Sequence, residues 1–427
     1  MNVLDILKSR GFIENQTHDA ELSAYLEAPG KTCYIGFDPT ANSLHVGHLV
    51  PIMALSHMQR CGHRPMALVG GGTGMIGDPS GKTEMRQMMT NETIAANVAG
   101  IKRQLSHFID FTDNKAMMVN NADWLTDLHY IPFLRDVGRH FSVNRMIKME
   151  AYRQRLESEE GLSFIEFNYM MLQAYDFLKL FDQSDCRLQM GGSDQWGNIL
   201  AGVELTRKMR QETVFGITFR LITKSDGSKM GKTASGAVWL DPEKTSPYDY
   251  YQFWINTDDQ DVARFMLLFT FLPAEEIEAV SRLSDADINS AKAVLAFEAT
   301  SLAHGVEEAR KAYAAAAAAF GEKTIPATLL PSSAIPREGS GGTNTLPTTL
   351  LPMDELSKGM SVAQLFLRAG LANSLNAARR LIDQGGAYLN DARITTPEMR
   401  VDETVLVNGE IILRAGKKRF HRIAVEK

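Results

Sequence analysis

The sequence predicts an α/β protein: a doubly wound parallel sheet, then an α-helical domain and a small α+β module. Three observations carry this prediction. In the first half of the chain, short apolar runs of strand length alternate with helical patterns, as in Rossmann-like folds. From about residue 241 the pattern becomes helical and charged. A stretch rich in proline and glycine then separates residues 359–427 from the rest.

The first predicted domain covers residues 1–240. Residues 1–30 have apolar positions at helical spacing and end at Pro29-Gly30. Strands are predicted at 32–37, 65–69, 115–120 and 186–190, with helices near 93–108 and 164–181. Because strands that alternate with helices pair in parallel, the loops that follow them should meet at one edge, where such sheets bind ligands.

The second predicted domain, residues 241–326, is α-helical, with segments at 275–280 and 289–313 and an alanine run at 314–319. Residues 327–358 contain four prolines and Gly339-Ser340-Gly341-Gly342, so they are predicted to be a linker. In the module at 359–427 we expect helices at 362–369 and 374–384 and strands at 387–389, 404–407 and 411–413.

Composition indicates a globular chain, since 44% of its 427 residues are hydrophobic. No run of about 18 apolar residues would span a bilayer, and the first residues lack a secretory apolar core, so we expect no membrane contact and a cytoplasmic location. Cys33, Cys61 and Cys186 are widely spaced, which favours a reducing compartment and argues against a zinc framework.

Charge is distributed unevenly along the chain. Residues 359–427 hold eleven Lys/Arg and seven Asp/Glu, a net charge of +4. Since the whole chain carries −6, residues 1–358 carry −10. A basic module on an acidic body is expected to meet a polyanion.

A polar turn at residues 38–48 follows the strand predicted at 32–37 and leads into a helical pattern. It contains Thr40 and then His45 and His48, with Gly47 between the histidines. A helix N-terminus carries unpaired N–H groups and a partial positive charge, so this turn is predicted to bind phosphate. A metal site is a weaker interpretation because a third ligand with matching spacing is missing. For either histidine alone, capping of the helix would be the ordinary interpretation.

Two glycine-rich patterns resemble nucleotide motifs but depart from them. Residues 72–77 match G-x-G-x-x-G after a strand, yet residues 78–81 are a turn signal rather than the start of an apolar helix. Gly81-Lys82-Thr83 ends like a P-loop, but the position that must be glycine is Ile76. Both patterns nevertheless place donor-rich backbone and Lys82 beside a strand end.

A glycine- and serine-rich loop at residues 226–236 carries Lys229 and Lys232. An exposed, solvated turn is the ordinary interpretation of such a loop. The alternative is a loop that brings two ammonium groups to a leaving pyrophosphate and stabilises its charge.

These motifs resemble those of class I aminoacyl-tRNA synthetases. Residues 39–48 resemble the HIGH motif of that class, and residues 229–233 resemble its KMSKS loop. Residues 34–38, 77–82, 173–176 and 191–198 match the bacterial type of the tyrosyl-tRNA synthetase family, and residues 359–427 resemble its S4 RNA-binding domain. The resemblance runs in order over nearly the whole chain.

The resemblance implies that L-tyrosine is activated by ATP and transferred to tRNA(Tyr), and it implies a role for four sets of residues. The tyrosine-binding residues would be Tyr34, Asp78, Tyr169, Gln173, Asp176 and Gln195. The ATP-binding residues would be Gly36, Asp38, His45, Gly47, His48, Gly192, Asp194 and Lys232. The catalytic residues would be Thr40, His45, His48, Lys82, Arg86, Lys229, Lys232 and Thr233. The tRNA contacts would be Arg379, Arg380, Lys417, Lys418, Arg419 and Arg422.

The resemblance also implies a homodimer, Mg²⁺ that arrives with ATP, and no tightly bound metal or organic cofactor. Two alternatives stay open. A tryptophanyl-type class I synthetase would share both motifs, but Asp176 together with Tyr34 argues against it. A non-catalytic RNA-binding relative would be expected to carry damaged motifs, and both motifs are intact.

Overall fold

The computed structural model of the chain describes residues 2–80, 90–159, 161–223, 225, 227, 230, 232–233, 236–320, 325–337, 347–390, 392–407, 409–416 and 419–426. They form two compact units. The first comprises Met1–Ser246, Thr257–Ser284 and Leu302–His304. The second comprises Pro247–Asn256, Asp285–Ser301 and Gly305–Lys427. The interval predicted as a helical domain, 241–326, therefore contributes segments to both units.

A six-stranded sheet forms the centre of the first unit. Its strands are β1 (Ile13–Gln16), β2 (Thr32–Phe37), β3 (Arg64–Val69), β4 (Met117–Asn120), β5 (Leu188–Gly192) and β6 (Phe215–Phe219). The strand order is β1-β6-β5-β2-β3-β4, and every neighbouring pair is parallel except β1 with β6. The predicted doubly wound α/β sheet is confirmed. The prediction of helices alone in residues 1–30 is wrong, because β1 lies between two of them.

Ten helices surround this sheet in the described part of residues 2–223. They are α1 (Val3–Ser9), α2 (Asp19–Tyr25), α3 (Leu49–Arg60), α4 (Asn91–Leu105), α5 (Ala122–Leu125), α6 (Tyr130–Asp136), α7 (Val143–Met146), α8 (Glu150–Glu157), α9 (Phe164–Ser184) and α10 (Trp196–Arg210). Helix α9 begins at a capping box, in which Ser163 and Glu166 satisfy each other's backbone N–H groups. A hairpin of two-residue strands, β7 (Lys232–Thr233) and β8 (Gly236–Ala237), follows.

Five helices follow the hairpin: α11 (Pro247–Ile255), α12 (Val262–Phe269), α13 (Ala274–Val280), α14 (Asp285–His304) and α15 (Val306–Phe320). The segment predicted to be helical at 289–313 is helical and contains parts of two helices, α14 and α15. Gly305 separates them with φ +88°, a left-handed conformation that favours glycine and ends a helix. No described helix is long and apolar enough to cross a membrane.

The last module contains β9 (Thr348–Pro352), α16 (Met353–Ser357), β10 (Met360–Ser361), α17 (Val362–Arg368), α18 (Leu375–Asp383), β11 (Ala387–Leu389), β12 (Ala392–Arg393), β13 (Arg400–Val401), β14 (Glu410–Ala415) and β15 (Arg419–Glu426). Five strands form a sheet in the order β12-β11-β14-β15-β9, in which β9 is parallel to β15. Both β9 and α16 fall inside the stretch predicted as a linker. The prediction of a strand at 404–407 is wrong, because Glu403–Val405 forms a 3-10 turn.

Candidate active site

A cavity of about 670 Å³ opens at the carboxyl ends of β2 and β5. From β2 the chain continues to β3 and β4 on one side and later returns to β5 on the other side. The loops after β2 and β5 therefore diverge and leave a crevice between them, which is where open α/β sheets bind ligands.

All predicted tyrosine- and ATP-site residues whose side chains the structure describes line this one cavity. They are Tyr34, Gly36, Asp38, Thr40, His45, Gly47, His48, Asp78, Tyr169, Gln173, Asp176, Gly192, Asp194 and Gln195. Lys82, Arg86 and Lys229 lie outside the described residues, and for Lys232 and Thr233 only the backbone is described.

The two histidines of the turn after β2 support each other. The backbone N–H of Gly47 donates to Nδ1 of His45 at 3.0 Å, and the backbone N–H of His45 donates to Nδ1 of His48 at 3.2 Å. Their ring centroids are 4.1 Å apart. The pKa of His48 is lowered to about 3, mainly because the ring is buried and secondly because of electrostatic repulsion from His45. Because Nδ1 accepts in both rings, each neutral ring carries its proton on Nε2 and can donate from there.

This turn is joined to the segment that follows the lysine loop. The backbone N–H of Val46 donates to the carbonyl of Val238 at 3.0 Å, and the N–H of Leu240 donates to the carbonyl of Leu44 at 2.9 Å. Between these two hydrogen bonds, the Trp239 ring lies edge-on to the His45 ring, with 5.9 Å between the ring centroids. Two stretches that are far apart in the sequence thus form one wall of the cavity.

Asp176 and Tyr34 both line the cavity and are almost completely buried. Trp124 Nε1 donates to Asp176 at 2.7 Å, and Asn121 Nδ2 donates to its other oxygen at 2.9 Å. Burial raises the pKa of Asp176 to about 7 against the effect of these two donors. The Tyr34 hydroxyl is buried, and no group in the described part of the chain hydrogen-bonds to it. Burial, and then the charge of Asp176, raises the pKa of Tyr34, which keeps its hydroxyl protonated.

A network of amides surrounds a second carboxylate, Asp78. Gln195 Nε2 donates to Asp78 at 2.8 Å, and the backbone N–H of Ser80 donates to its other oxygen at 2.9 Å. Gln173 and Asn198 then donate to Gln195 Oε1, each at 3.2 Å. Burial and the negative charge of Asp38 raise the pKa of Asp78 to about 6. A cation bound beside Asp78 would favour its ionised form.

The predicted tRNA contacts lie in the last module. Arg379 and Arg380 are exposed on α18. Arg422 is ion-paired with Glu410 at 2.6 Å, and Arg419 donates to the carbonyls of Leu371 and Gly370 at 3.1 and 2.9 Å. Both of these arginines therefore have intramolecular partners, and Lys417 and Lys418 lie outside the described residues.

The sequence prediction missed Asn121, Trp124 and Trp239. Asn121 and Trp124 immediately follow β4, so the rule that ligands meet the carboxyl ends of parallel strands could have identified them. No comparable local signal marks Trp239. Its position beside His45 depends on the pairing of residues 238–240 with residues 44–46.

Fold, cavity and sequence comparison together define a class I aminoacyl-tRNA synthetase. A model of the family described as tRNA synthetases class I (W and Y) matches residues 29–321. A second model, described as the tyrosine–tRNA ligase SYY-like C-terminal domain, matches residues 344–423.

Individual relatives narrow the assignment. A protein from Desulfosudis oleivorans named tyrosine–tRNA ligase is 66% identical over 431 residues, which is 100% of both chains. One with the same name from Desulfatibacillum aliphaticivorans is 60% identical and covers 100% of this chain and 99% of its own length. A C-terminally truncated mitochondrial tyrosyl-tRNA synthetase from Aspergillus nidulans superposes with a TM-score of 0.65 at 30% identity, covering 73% of this chain and 92% of the solved one. The chain belongs to the tyrosine–tRNA ligase family.

Proposed function

We propose that the chain joins L-tyrosine to tRNA(Tyr) in two steps. The tyrosine carboxylate attacks the α-phosphorus of ATP, and the bond from that phosphorus to the bridging oxygen breaks, which releases pyrophosphate. The terminal adenosine hydroxyl of tRNA then attacks the tyrosyl carbonyl, and AMP leaves. One observation carries the proposal: the buried Tyr34 hydroxyl, which has no hydrogen-bond partner among the residues that the structure describes, lines the same cavity as Asp176, a doubly hydrogen-bonded carboxylate.

Tyr34 and Asp176 would select the phenol of the substrate. The phenol hydroxyl can donate to Asp176 while it accepts from Tyr34, so both of its hydrogen-bonding capacities are used. Phenylalanine would leave the Tyr34 hydroxyl without the acceptor, and Asp176 without the third donor, that the phenol supplies. Tyrosyl-tRNA synthetases are a known example of such discrimination, and they reject phenylalanine by roughly 10⁵-fold. Asp78, Tyr169 and Gln173 would hold the ammonium group, and Gln195 would hold the carboxylate.

The turn after β2 would act on the phosphates. Thr40 and the Nε2–H group of His45 would donate to the oxygens on which charge accumulates as pyrophosphate forms. His48 and Asp194 would hold the ribose, while Gly36, Asp38, Gly47 and Gly192 line the nucleotide site. Lys82, Arg86, Lys229, Lys232 and Thr233 would stabilise the leaving pyrophosphate. The protein then supplies positioning and charge rather than a nucleophile.

We propose that Mg²⁺ enters on the phosphate oxygens of ATP, which it prefers to a cage made only of protein ligands. The ion would neutralise charge on the phosphates that Thr40 and His45 would contact. The chemistry of those two residues fits that arrangement, since hydroxyl and imidazole N–H groups donate to phosphate oxygens and leave other lone pairs for the metal.

We propose that the enzyme is a homodimer. Large apolar side chains are exposed in the single chain on successive helices α6 to α9: Tyr130 (57%), Ile131 (70%), Val143 (58%), Leu156 (53%) and Phe164 (69%). Such surfaces mark sites of protein association. Analytical ultracentrifugation should find a dimer for the natural chain and a monomer for Phe164→Asp. A monomeric natural chain would contradict the proposal.

We propose that the chain is divided into a catalytic domain at residues 1–240, a helical region at 241–326 and a tRNA-binding module after a linker. We also propose that the enzyme works in the cytoplasm. The module would begin at Pro347 rather than at Gly359, because β9 pairs with β15. Removing residues 347–427 should leave tyrosine-dependent ATP–pyrophosphate exchange intact and weaken tRNA charging, because basic side chains of the module would contact phosphates. Equal loss of both activities would contradict this division.

The amino acid itself is tested most directly by ATP–pyrophosphate exchange with each of the twenty standard amino acids. Tyrosine should support exchange, whereas phenylalanine and tryptophan should not. Exchange with tryptophan in place of tyrosine would favour a tryptophanyl-type enzyme. An absence of exchange with every amino acid, together with tRNA binding, would favour the non-catalytic alternative.

A further inference from the structure

One face of helix α4 packs on the turn that carries Thr40 and His45. Asn97, Gly100 and Gln104 are spaced by three and four residues, so they lie on the same face of this helix. Both amide side chains are buried, with Asn97 6% and Gln104 3% exposed. A buried amide is costly unless its polar atoms are hydrogen-bonded, so its partners indicate why it is there.

Those partners are groups of the turn, mostly of its backbone; the Ser43 hydroxyl also donates to Gln104 Oε1, at 3.4 Å. Asn97 Nδ2 donates to the carbonyl of Pro39 at 2.7 Å, directly before Thr40. Gln104 Oε1 accepts from the backbone N–H of Leu44 at 2.7 Å, directly before His45. Gln104 Nε2 also reaches the carbonyl of Asn42, at a longer 3.5 Å. The turn is thus bound to the helix beside each of its two phosphate-directed side chains.

Gly100 allows this close approach. A Cβ atom at this position would lie 2.1 Å from the carbonyl oxygen of Asn42 and 3.0 Å from its carbonyl carbon. These are backbone atoms, so the turn itself would have to move. A glycine within a helix costs roughly 1 kcal/mol relative to alanine. The position therefore favours contact with the turn over the stability of the helix.

We propose that Asn97, Gly100 and Gln104 are positioning residues for adenylate formation, which fix Thr40 and His45 at the phosphates. This inference rests on the proposed function, in which those two side chains donate to the phosphates. Donors stabilise a transition state only if they are held in place before charge develops, and a shift of about 1 Å can cost up to about 100-fold in rate. Helix α4 supplies that fixation without touching the substrate, since none of its three residues lines the cavity.

The chain offers a matched control in Gln59. Its Nε2 donates to the carbonyl of Asp110 at 2.7 Å, and its Oε1 accepts from the N–H of the same residue at 2.9 Å. Gln59 therefore also binds a loop to a helix through backbone groups. Neither Gln59 nor Asp110 lines the cavity. Replacement by methionine, which has a similar length and volume, removes the hydrogen bonds at either glutamine.

The experiment compares Gln104→Met, Gln59→Met, His45→Ala and the double variant His45→Ala/Gln104→Met in the full chain. We expect Gln104→Met to lower the single-turnover rate of tyrosyl-adenylate formation about tenfold, and Gln59→Met less than about twofold. The dissociation constant for tyrosine should be unchanged in both single glutamine variants, because the phenol end of the cavity is not altered. In the double variant, the fall should be smaller than the product of the two single falls, because Gln104 binds Leu44 and would act through the adjacent His45.

Three results would overturn the inference. These are equal rate losses in the two glutamine variants, a fall in the double variant equal to the product of the single falls, and a tyrosine affinity that falls with the rate. If Gln104→Met does not fold, Asn97→Leu, combined with Thr40→Ala in place of His45→Ala, tests the same face through the separate bond to Pro39, with the same expected pattern. A natural rate in His45→Ala would refute the proposed role of His45 and this inference with it. A low rate in His45→Ala with a natural rate in Gln104→Met would refute this inference alone.

Discussion

Replacing Tyr34 by phenylalanine should weaken tyrosine binding and stabilise the free enzyme. In the free protein the hydroxyl is buried and has no partner among the described groups, so its removal breaks no hydrogen bond and relieves a desolvated polar group. We expect Tyr34→Phe to raise the free energy of unfolding by about 1 kcal/mol, because a buried polar group without a partner is costly. With tyrosine bound, the variant loses one neutral hydrogen bond, worth roughly 0.5–1.5 kcal/mol, so the dissociation constant should rise about 2- to 12-fold.

The assay is equilibrium binding of tyrosine and of phenylalanine, with urea unfolding of the free enzyme. Phenylalanine binding should hardly change, so discrimination between the two amino acids should fall by the same factor as tyrosine affinity. Tyr152→Phe is the matched control, because the Tyr152 hydroxyl is also buried but donates to the carbonyl of Phe167 at 2.8 Å. It should lower stability by about 1 kcal/mol and leave tyrosine affinity unchanged. Destabilisation by both substitutions, with natural tyrosine affinity in Tyr34→Phe, would refute the reasoning.

Three further predictions concern the leaving group, the ammonium site and stability. Lys232→Ala should lower single-turnover adenylate formation more than tenfold, with little change in tyrosine affinity, because the lysine would act mainly in the transition state; a natural rate would contradict this. Since the pKa of Asp78 is about 6 and its ionised form would bind the ammonium group, lowering the pH from about 7.5 to 5 should weaken tyrosine binding roughly tenfold more than binding of 3-(4-hydroxyphenyl)propionate, which lacks the amino group but shares the contact with Asp176. Arg155→Ala should lower the free energy of urea unfolding by about 3–5 kcal/mol, because it separates a buried pair with Glu166. The exposed pair of Arg153 with Glu150 should contribute less than about 1 kcal/mol, so Arg153→Ala serves as its control.

Local sequence pattern predicted the sheet well where strands are apolar. Five of the six residues of β2 are buried, and such a run leaves little ambiguity. Strand β1 escaped prediction because three of its four residues, Glu14, Asn15 and Gln16, are polar, and its strand state depends on pairing with β6. The strand predicted at 404–407 failed for a local reason. The side chain of Asp402 accepts from the N–H of Thr404 at 2.9 Å, and a turn of this kind competes with an extended strand.

The candidate site was predictable to the extent that its residues lie in contiguous motifs. The turn at 38–48 could be recognised from one strand end, one glycine and two histidines. The partners of Asp176 could not be, because Asn121 and Trp124 reach it only after β4 and α9 have packed. Contacts of this kind depend on tertiary structure, and no local pattern encodes them.

The pairing of β9 with β15 has a consequence for aggregation. A fragment cut at the predicted boundary, residue 359, would lose β9 and leave the eight-residue strand β15 as an open sheet edge. The fragment would also lack Leu351, which is fully buried in the whole chain, and would expose the apolar side chains that pack around it. Long open edges recruit strands from other molecules. With β9 in place, the edge is a five-residue strand that ends at Pro352, and proline cannot donate to an added strand. Strand β9 therefore protects the rest of the module from self-association.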